Sequence, residues 1–429
     1  MSRGIFAICV ASTLMGCSVS PAVQAAREPN YPKLEKAIDA EKKSGELDDG
    51  EVEDIAEAIA EGEIARAKGV DGEALLPAFA GCARAVEDAL EDRFDKGDDI
   101  GAVAASLLLS AGLVDEDEYV DFATESDPRP AYRALGARGL IDEDTFELRR
   151  KMFVDLDERV RSNALKAALT APSASDFDLL VEAARVDPLP AARASAVRAI
   201  GRLGGERAVI ALKDIWLRAD PRLKESIVDG YIAPPTFEVG GREQLVRIAE
   251  EGSAGSIPAA VVLARVAVDE APDRKAREVA RQVLLRAIKL GTREDRTFAM
   301  IMAPSDKEVL AALREAKDDS DAGVALVALG RLAHEGDEKE QKAARDKLLT
   351  IAKSDDPEAN RAMGELAGMS DKRVTPLLEK QLTSKSPFAR AYAARQLVML
   401  GEYQKAAKAL ADKDVNVRAG VACAVLGKK

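Results

Sequence analysis

A segment that opens with an Asp-Pro turn recurs along this chain, and its recurrence constrains the fold more than any other feature. "DPRPAYRALGARGL" begins at residue 127 and "DPLPAARASAVRAIGRLGG" at residue 187, and both read Asp-Pro-x-Pro-Ala-x-Arg before a small and apolar stretch that ends in Gly. "DERVRSNALKAALTAP" begins between them at residue 157, so successive copies are thirty residues apart. Repetition at a fixed period is typical of stacked supersecondary units, and it predicts a repeat protein.

Further copies continue the pattern to the end of the chain. They begin at residues 220, 319, 356, 386 and 414, and weaker copies begin at 253 and 294, which makes ten phases in all. The aspartates that are predicted to cap the repeated helices are Asp127, Asp157, Asp187, Asp220, Asp356 and Asp414.

Each copy has the residues that begin and end a helix. A carboxylate at the start accepts hydrogen bonds from unpaired backbone N–H groups, and Pro suits the first helical position. In the copy at 187, Ala192, Ala196, Ile200 and Leu203 lie three or four residues apart on one apolar face, and Gly204 ends the helix. Another helical pattern precedes each copy, as in "SDFDLLVEAARV" before Asp187. The unit is therefore a helix, a capped turn and a second helix.

These residues resemble the HEAT repeat, and the short bacterial form called phycobilisome-lyase HEAT-like in particular. The resemblance covers residues 116–429 and implies an all-α fold, a right-handed α-solenoid of about ten helix pairs. It implies little about function, because the family contains scaffolds, adaptors and some pigment lyases. Residues 31–115 have helical spacing without the repeat signature, and we expect either an N-terminal helical cap or degenerate repeats.

Arginines recur a few residues after the caps, at Arg133, Arg161, Arg193, Arg361, Arg390 and Arg418. They could form a row of cations for an acidic partner. The family resemblance instead implies that each pairs with an Asp of its own or the next unit, and the planar guanidinium suits that pairing. Arg198 and Arg202 lie outside the motif and off the core face, so we expect them to be available for a partner.

The first residues predict export. Arg3 precedes the uncharged apolar stretch "IFAICVASTLM", which is too short to span a membrane and suits a signal peptide. "LMGC" at 14–17 resembles the bacterial lipoprotein box, which implies a signal peptide over 1–16, a lipid on Cys17 and a flexible tether over 17–30. This predicts an envelope protein held in a membrane by its lipid alone, with the outer membrane as the expected placement. The alternative is cleavage before Ala26, after "VQA", which would release a soluble periplasmic or secreted protein.

The remaining cysteines, Cys82 and Cys423, are separated by almost the whole chain. An extended array would keep them beyond disulfide distance, so both are expected to be small buried residues without a disulfide. The last helix, from Asp414, is almost wholly apolar and no polar repeat follows it. It could expose a patch for a partner or for self-association, or it could pack against the preceding helix.

The sequence has no catalytic, metal or cofactor signature. Its one histidine, His334, is expected at an exposed helix end, and the acidic clusters lack the spacing of a calcium loop. With 62 basic and 75 acidic residues and no basic stripe, nucleic acid is not an expected partner. The prediction is a non-enzymatic scaffold that binds another protein. The alternatives are a structural envelope protein, a bilin-lyase-like enzyme or a chaperone.

Overall fold

The structure is a computed structural model that describes residues 19–115, 117–124, 129–252, 255–266, 271–354 and 357–427. Within these ranges the regular structure is helical and contains no strand, so the all-α prediction is confirmed. The signal peptide, Cys17, Asp127 and Asp356 lie outside the described residues. Nothing in the described part is both long and apolar enough to serve as a membrane-spanning helix.

Ten helix pairs follow the ten phases of the repeat in the described ranges. The N-terminal region contains α1 (Pro21–Ala26), α2 (Tyr31–Ser44), α3 (Asp49–Arg66), α4 (Gly69–Leu75), a 3-10 segment (Leu76–Val86), α5 (Glu87–Phe94) and α6 (Asp99–Ser110). The pairs are α7 (Asp121–Thr124) with α8 (Pro130–Arg138), α9 (Phe146–Met152) with α10 (Glu158–Thr170), α11 (Phe177–Val186) with α12 (Pro190–Leu203), and α13 (Gly205–Trp216) with α14 (Pro221–Ile232). After the short α15 (Pro234–Thr236) come α16 (Arg242–Glu251) with α17 (Ser256–Arg265), α18 (Ala271–Leu290) with α19 (Arg293–Met302), and α20 (Lys307–Ala316) with α21 (Ala322–Glu335). The last three are α22 (Glu338–Ala352) with α23 (Ala359–Gly368), α24 (Thr375–Gln381) with α25 (Pro387–Met399), and α26 (Tyr403–Ala406) with α27 (Val415–Leu426).

The capping residues act as local chemistry requires. The carboxylates of Asp157, Asp220 and Asp414 each accept a hydrogen bond at 2.9 Å from a backbone N–H in the first turn of α10, α14 and α27. Asp187 has a different position from the one expected, because α12 begins only at Pro190. Its carboxylate accepts from the N–H of Leu189, at 2.8 Å, and so shapes the turn ahead of the helix.

The second helices of neighbouring pairs approach one another very closely. A Cβ added to Gly201 of α12 would lie 2.3 Å from the carbonyl oxygen of Gly230 in α14, so the two backbones are in direct contact. Gly330 of α21 lies under the carboxylate of Glu365 in α23, and another glycine of α23 lies under a tyrosine hydroxyl of α25. The first helices have fewer close approaches to one another in the described ranges, so the row of second helices has the shorter circumference and forms the inner face.

The array closes on itself, which the sequence did not predict. α27 packs against α3 and against the 3-10 segment 76–86, and α6 continues from that segment to α8. A disulfide joins Cys82 to Cys423, whose Cα atoms are 5.2 Å apart across 341 residues of sequence. The expectation of an extended array without a disulfide is therefore wrong, because curvature accumulated over ten pairs brings the two ends together. The last helix is covered by the N-terminal region, and its apolar faces are buried.

Residues 19–30 differ from the flexible tether expected there. They contain α1, whose Ala22, Val23, Ala25 and Ala26 are buried against α2 and α3. The N–H of Ala22 donates to the buried carboxylate of Glu41, at 2.8 Å. The apolar spacing of "PAVQAA" explains this packing, because small side chains let a short helix lie close to its neighbours.

Candidate binding surface

An arginine occupies the fourth position after the N-cap in six second helices. Each reaches a carboxylate of the next unit, and the six pairs are Arg133–Asp155 (3.3 Å), Arg161–Asp187 (2.8 Å), Arg193–Asp220 (3.0 Å), Arg296–Asp319, Arg390–Asp412 (2.6 Å) and Arg418–Glu63 (2.7 Å). We call this set the arginine ladder. It links consecutive turns between first and second helices, so these turns lie along one edge of the ring, called the turn edge here. Arg361 is exposed, and the nearby residues 355 and 356 lie outside the described ranges.

Four carboxylates of the ladder, Asp155, Asp187, Asp319 and Asp412, precede the N-cap by two residues. Asp155 and Asp412 were not singled out from the sequence. Asp155, Asp319 and Asp412 each accept a hydrogen bond from the N–H two residues on, at 2.8 or 2.9 Å, while they bind the arginine. The signal was present as the repeated Asp-x-Asp triplets at 155–157, 319–321 and 412–414. One carboxylate thus shapes the turn and holds the preceding unit.

The ladder continues across the closure of the ring, where Glu63 of α3 takes the place of the next unit's aspartate. The Arg418 guanidinium donates from Nε and Nη2 to Glu63 Oε1, at 2.8 and 2.7 Å, and lies 3.5 Å from the centre of the Tyr31 ring. Tyr31 donates its hydroxyl to the same oxygen, and burial together with Glu63 raises its pKa. Arg418 and Glu63 are both buried, so their pairing is a structural contact at the seam between the two ends of the chain.

Arg198 and Arg202 are partly exposed, but both form polar contacts within the chain that the sequence did not predict. Arg198 pairs with Asp229 of α14, at 2.9 Å, and Arg202 donates to the carbonyl oxygen of Leu169 at the end of α10, at 3.0 Å. Both side chains therefore lie across the neighbouring second helices. A role in binding a partner stays a prediction for both residues.

The fold assembles a basic surface that the sequence did not reveal. The ninth position after the N-cap holds Arg138 in α8, Lys166 in α10 and Arg198 in α12. Arg202 lies one turn beyond Arg198 on the same face of α12. We call these four residues the cationic row. Its signal in the sequence is that α8, α10 and α12 together contain eight Arg or Lys and a single carboxylate, Glu158.

The positive charges of the cationic row are not fully balanced by carboxylates of the described residues, as the surroundings of Lys166 indicate. Burial and the nearby Arg138 guanidinium lower the pKa of the Lys166 ammonium. Within the described ranges Lys166 and Arg202 form no ion pair, and their hydrogen bonds go to the Asn163 side chain and to a backbone carbonyl. The arginines of the ladder, by contrast, each have a carboxylate. Arg138 donates to Ser110 Oγ at 3.2 Å.

A second exposed feature is a groove on the inner face at the seam. Its floor is made of small residues of α27 and of the 3-10 segment, such as Gly420 and Gly81, and one wall is the exposed ring of Phe388. The buried sulfur of Cys423 lies beneath it. The groove is largely apolar, and its lining in the described part of the chain has no serine, threonine or histidine for nucleophilic catalysis.

The described residues contain no group of three or more potential metal ligands. His334 is exposed in the last turn of α21, as expected. The geometry offers contact surfaces for another molecule.

The fold is a helical solenoid. No family model matches the chain, and no curated protein matches it. Among solved structures, the crystal structure of Kap121p matches with 16% sequence identity and a TM-score of 0.28, and the match covers 91% of this chain and 50% of that chain. The chain thus spans about half the length of Kap121p.

Proposed function

We propose that this chain is a binding scaffold of the bacterial envelope, held in the membrane by a lipid on Cys17, whose inner face binds another protein. The observation that carries the proposal is the closed ring of helix pairs whose exposed inner face displays the cationic row. In that row Lys166 and Arg202 form no ion pair with the described part of the chain. Solenoids bind by the area of their continuous surface, and such a surface needs no catalytic residues.

The disulfide supports an exported protein. Disulfides persist in oxidising compartments such as the bacterial periplasm and are rare in the cytosol. Cys82 and Cys423 are buried, and their bond joins the two ends of the ring. A bond in that position suits the compartment that the signal sequence predicts.

The packing of α1 favours processing at Cys17 over cleavage before Ala26. Cleavage before Ala26 would remove Ala22, Val23 and Ala25 from a buried contact. It would also remove the N–H that donates to Glu41, and a buried carboxylate left without its partner is costly. Processing at Cys17 keeps the whole helix.

The position of α1 also suggests how the ring would sit on the membrane. Ser20 caps α1 beside Glu51 in the first turn of α3, whereas Glu63 in the last turn of α3 lies at the turn edge with Arg418. Residue 19 therefore lies at the edge opposite the turn edge. Two residues span at most about 7 Å, so a lipid on Cys17 would hold that opposite edge near the membrane.

The test combines lipid labelling with recovery of a partner. Wild type and Cys17→Ala are expressed with a clickable fatty acid, and we expect label on the wild type only. Affinity purification from detergent-solubilised membranes should then recover one protein in stoichiometric amount with the wild type. Unlabelled wild type free in the periplasm would refute the anchor. Repeated recovery of the chain alone would refute the scaffold.

A further inference from the structure

The cationic row stands out from the charge of the rest of the protein. The chain has a formal net charge of -13, yet its α8, α10 and α12 contain eight basic residues against one carboxylate. Within the described ranges, aspartates beside these helices form the pairs Arg133–Asp155, Arg159–Asp157, Arg161–Asp187, Arg193–Asp220 and Arg198–Asp229. Lys166 and Arg202 receive no carboxylate from the described part of the molecule.

The stability of the fold does not account for this arrangement. Like charges placed together oppose folding, and Lys166 lies near Arg138 while part of its side chain is desolvated. The ladder arginines, by contrast, each hold two consecutive units together. A surface that costs free energy in the unbound protein is one that an anionic partner would stabilise.

The spacing of the row favours an extended ligand. Helices in contact lie about 8–10 Å apart, so Lys166 is about one helix spacing from Arg138 on one side and from Arg198 on the other. In a polyproline II segment every third side chain lies on the same face, about 9 Å further along, since three residues complete a turn and the rise is about 3.1 Å per residue. Cations placed side by side match carboxylates at that interval. A single phosphate would instead need cations that converge on one point.

We propose that the cationic row binds an acidic, extended segment of the partner protein. The inference rests on the proposed scaffold function and names the chemistry that its inner face recognises. The row also has an end, because α14 presents Glu225 and Asp229 at its exposed side. A nucleic acid that followed the inner face would meet these carboxylates after three helices, whereas a short acidic segment would not.

The test uses the purified full-length chain and fluorescence anisotropy. The probe is a labelled ten-residue peptide with Glu at every third position and Gly or Ser between. Matched probes replace Glu by Gln or consist of a ten-nucleotide oligothymidine. We expect binding of the Glu peptide alone, with an affinity that falls as NaCl rises from about 50 to about 300 mM, because exposed charge pairs are screened.

Variants assign the binding to the row. Lys166→Glu and Arg202→Glu should each weaken binding of the Glu peptide by about tenfold, since reversal adds repulsion to the lost attraction. Lys36→Glu is the matched control on the exposed side of α2 in the N-terminal region, and it should change affinity by less than about twofold. Lys166→Met keeps the stem without the charge. It should fold, because Lys166 is exposed and forms no ion pair with the described part of the chain, and its affinity should lie between those of the wild type and Lys166→Glu.

Four results would overturn the proposal. They are no binding of the Glu peptide, equal binding by the Glu and Gln peptides, affinity unchanged in both reversal variants, or tighter binding of oligothymidine than of the Glu peptide. If the Glu peptide does not bind while membranes still yield a stoichiometric partner, the acidic-segment proposal fails and the scaffold stands.

Discussion

Removing the disulfide at the seam should lower the stability of the closed ring by a measurable and bounded amount. The bond joins Cys82 to Cys423 across 341 residues. In the chain-entropy treatment, a loop of that length restricts the unfolded chain by about 6 kcal/mol at 25 °C. Measured effects of disulfides are commonly about 2–5 kcal/mol, and the buried Arg418–Glu63 pair holds the ring without the covalent bond. We therefore expect a loss of about 2–5 kcal/mol and a reduced protein that still closes.

The assay compares urea unfolding of the oxidised wild type, the wild type in reductant and Cys82→Ala/Cys423→Ala. The last two should have similar midpoints below that of the oxidised protein, and reductant should not affect the double variant. Because a repeat protein can unfold in parts, hydrogen exchange resolves where stability is lost. Protection should fall first in α3 and α27 and later in α12, which lies far from the seam.

Two outcomes would refute this reasoning. The first is that peptide mapping of the purified protein under non-reducing conditions finds both thiols free. Equal midpoints for the oxidised and reduced wild type would show that the ends of the chain do not constrain each other.

Two further predictions concern the inner row and the ladder. Gly201→Ala should lower the melting temperature and the free energy of unfolding by about 1–3 kcal/mol, because its Cβ would meet Gly230. In the control Gly420→Ala the Cβ meets nothing within 4 Å, and the free energy of unfolding should rise by about 0.5–1 kcal/mol. Equal effects of the two variants in thermal melts would contradict the close packing. The hydrogen bond from Arg296 lowers the pKa of Asp319, so the stabilisation is present above the unfolded pKa of about 3.9 and is lost as pH falls through the lower folded value. The urea midpoint of Asp319→Asn should be lower than that of the wild type at neutral pH and should change less between about pH 4 and about pH 2. A pH profile parallel to that of the wild type would show that this ion pair does not contribute to the stability of the ring.

The sequence was informative wherever structure is local. Asp157, Asp220 and Asp414 cap the helices that their patterns predicted, because a cap depends on a few neighbouring residues. The second helices follow the phases of the repeat for the same reason. The pairing of the turn carboxylates was harder to predict, since Asp155, Asp319 and Asp412 lie two residues ahead of the cap and their arginine partners belong to another unit.

The closure and the basic surface could not be predicted in the same way. Whether Cys82 reaches Cys423 depends on the sum of many small rotations between pairs, and no single motif encodes that sum. The cationic row exists only because α8, α10 and α12 place Arg138, Lys166 and Arg198 at one level. Counting residues from the N-cap of each helix places these three residues at the same position, whereas counting from the Asp-Pro turn does not.

Closure also restricts how such a chain can vary. An open solenoid can gain or lose a unit at small cost, because each unit contacts only its neighbours. Here the count itself is under constraint: deleting or duplicating one helix pair would separate Glu63 from Arg418 and Cys82 from Cys423. Length variation should therefore be confined to the loops, and sequences that share this architecture should keep the same number of pairs even where little else in them is alike.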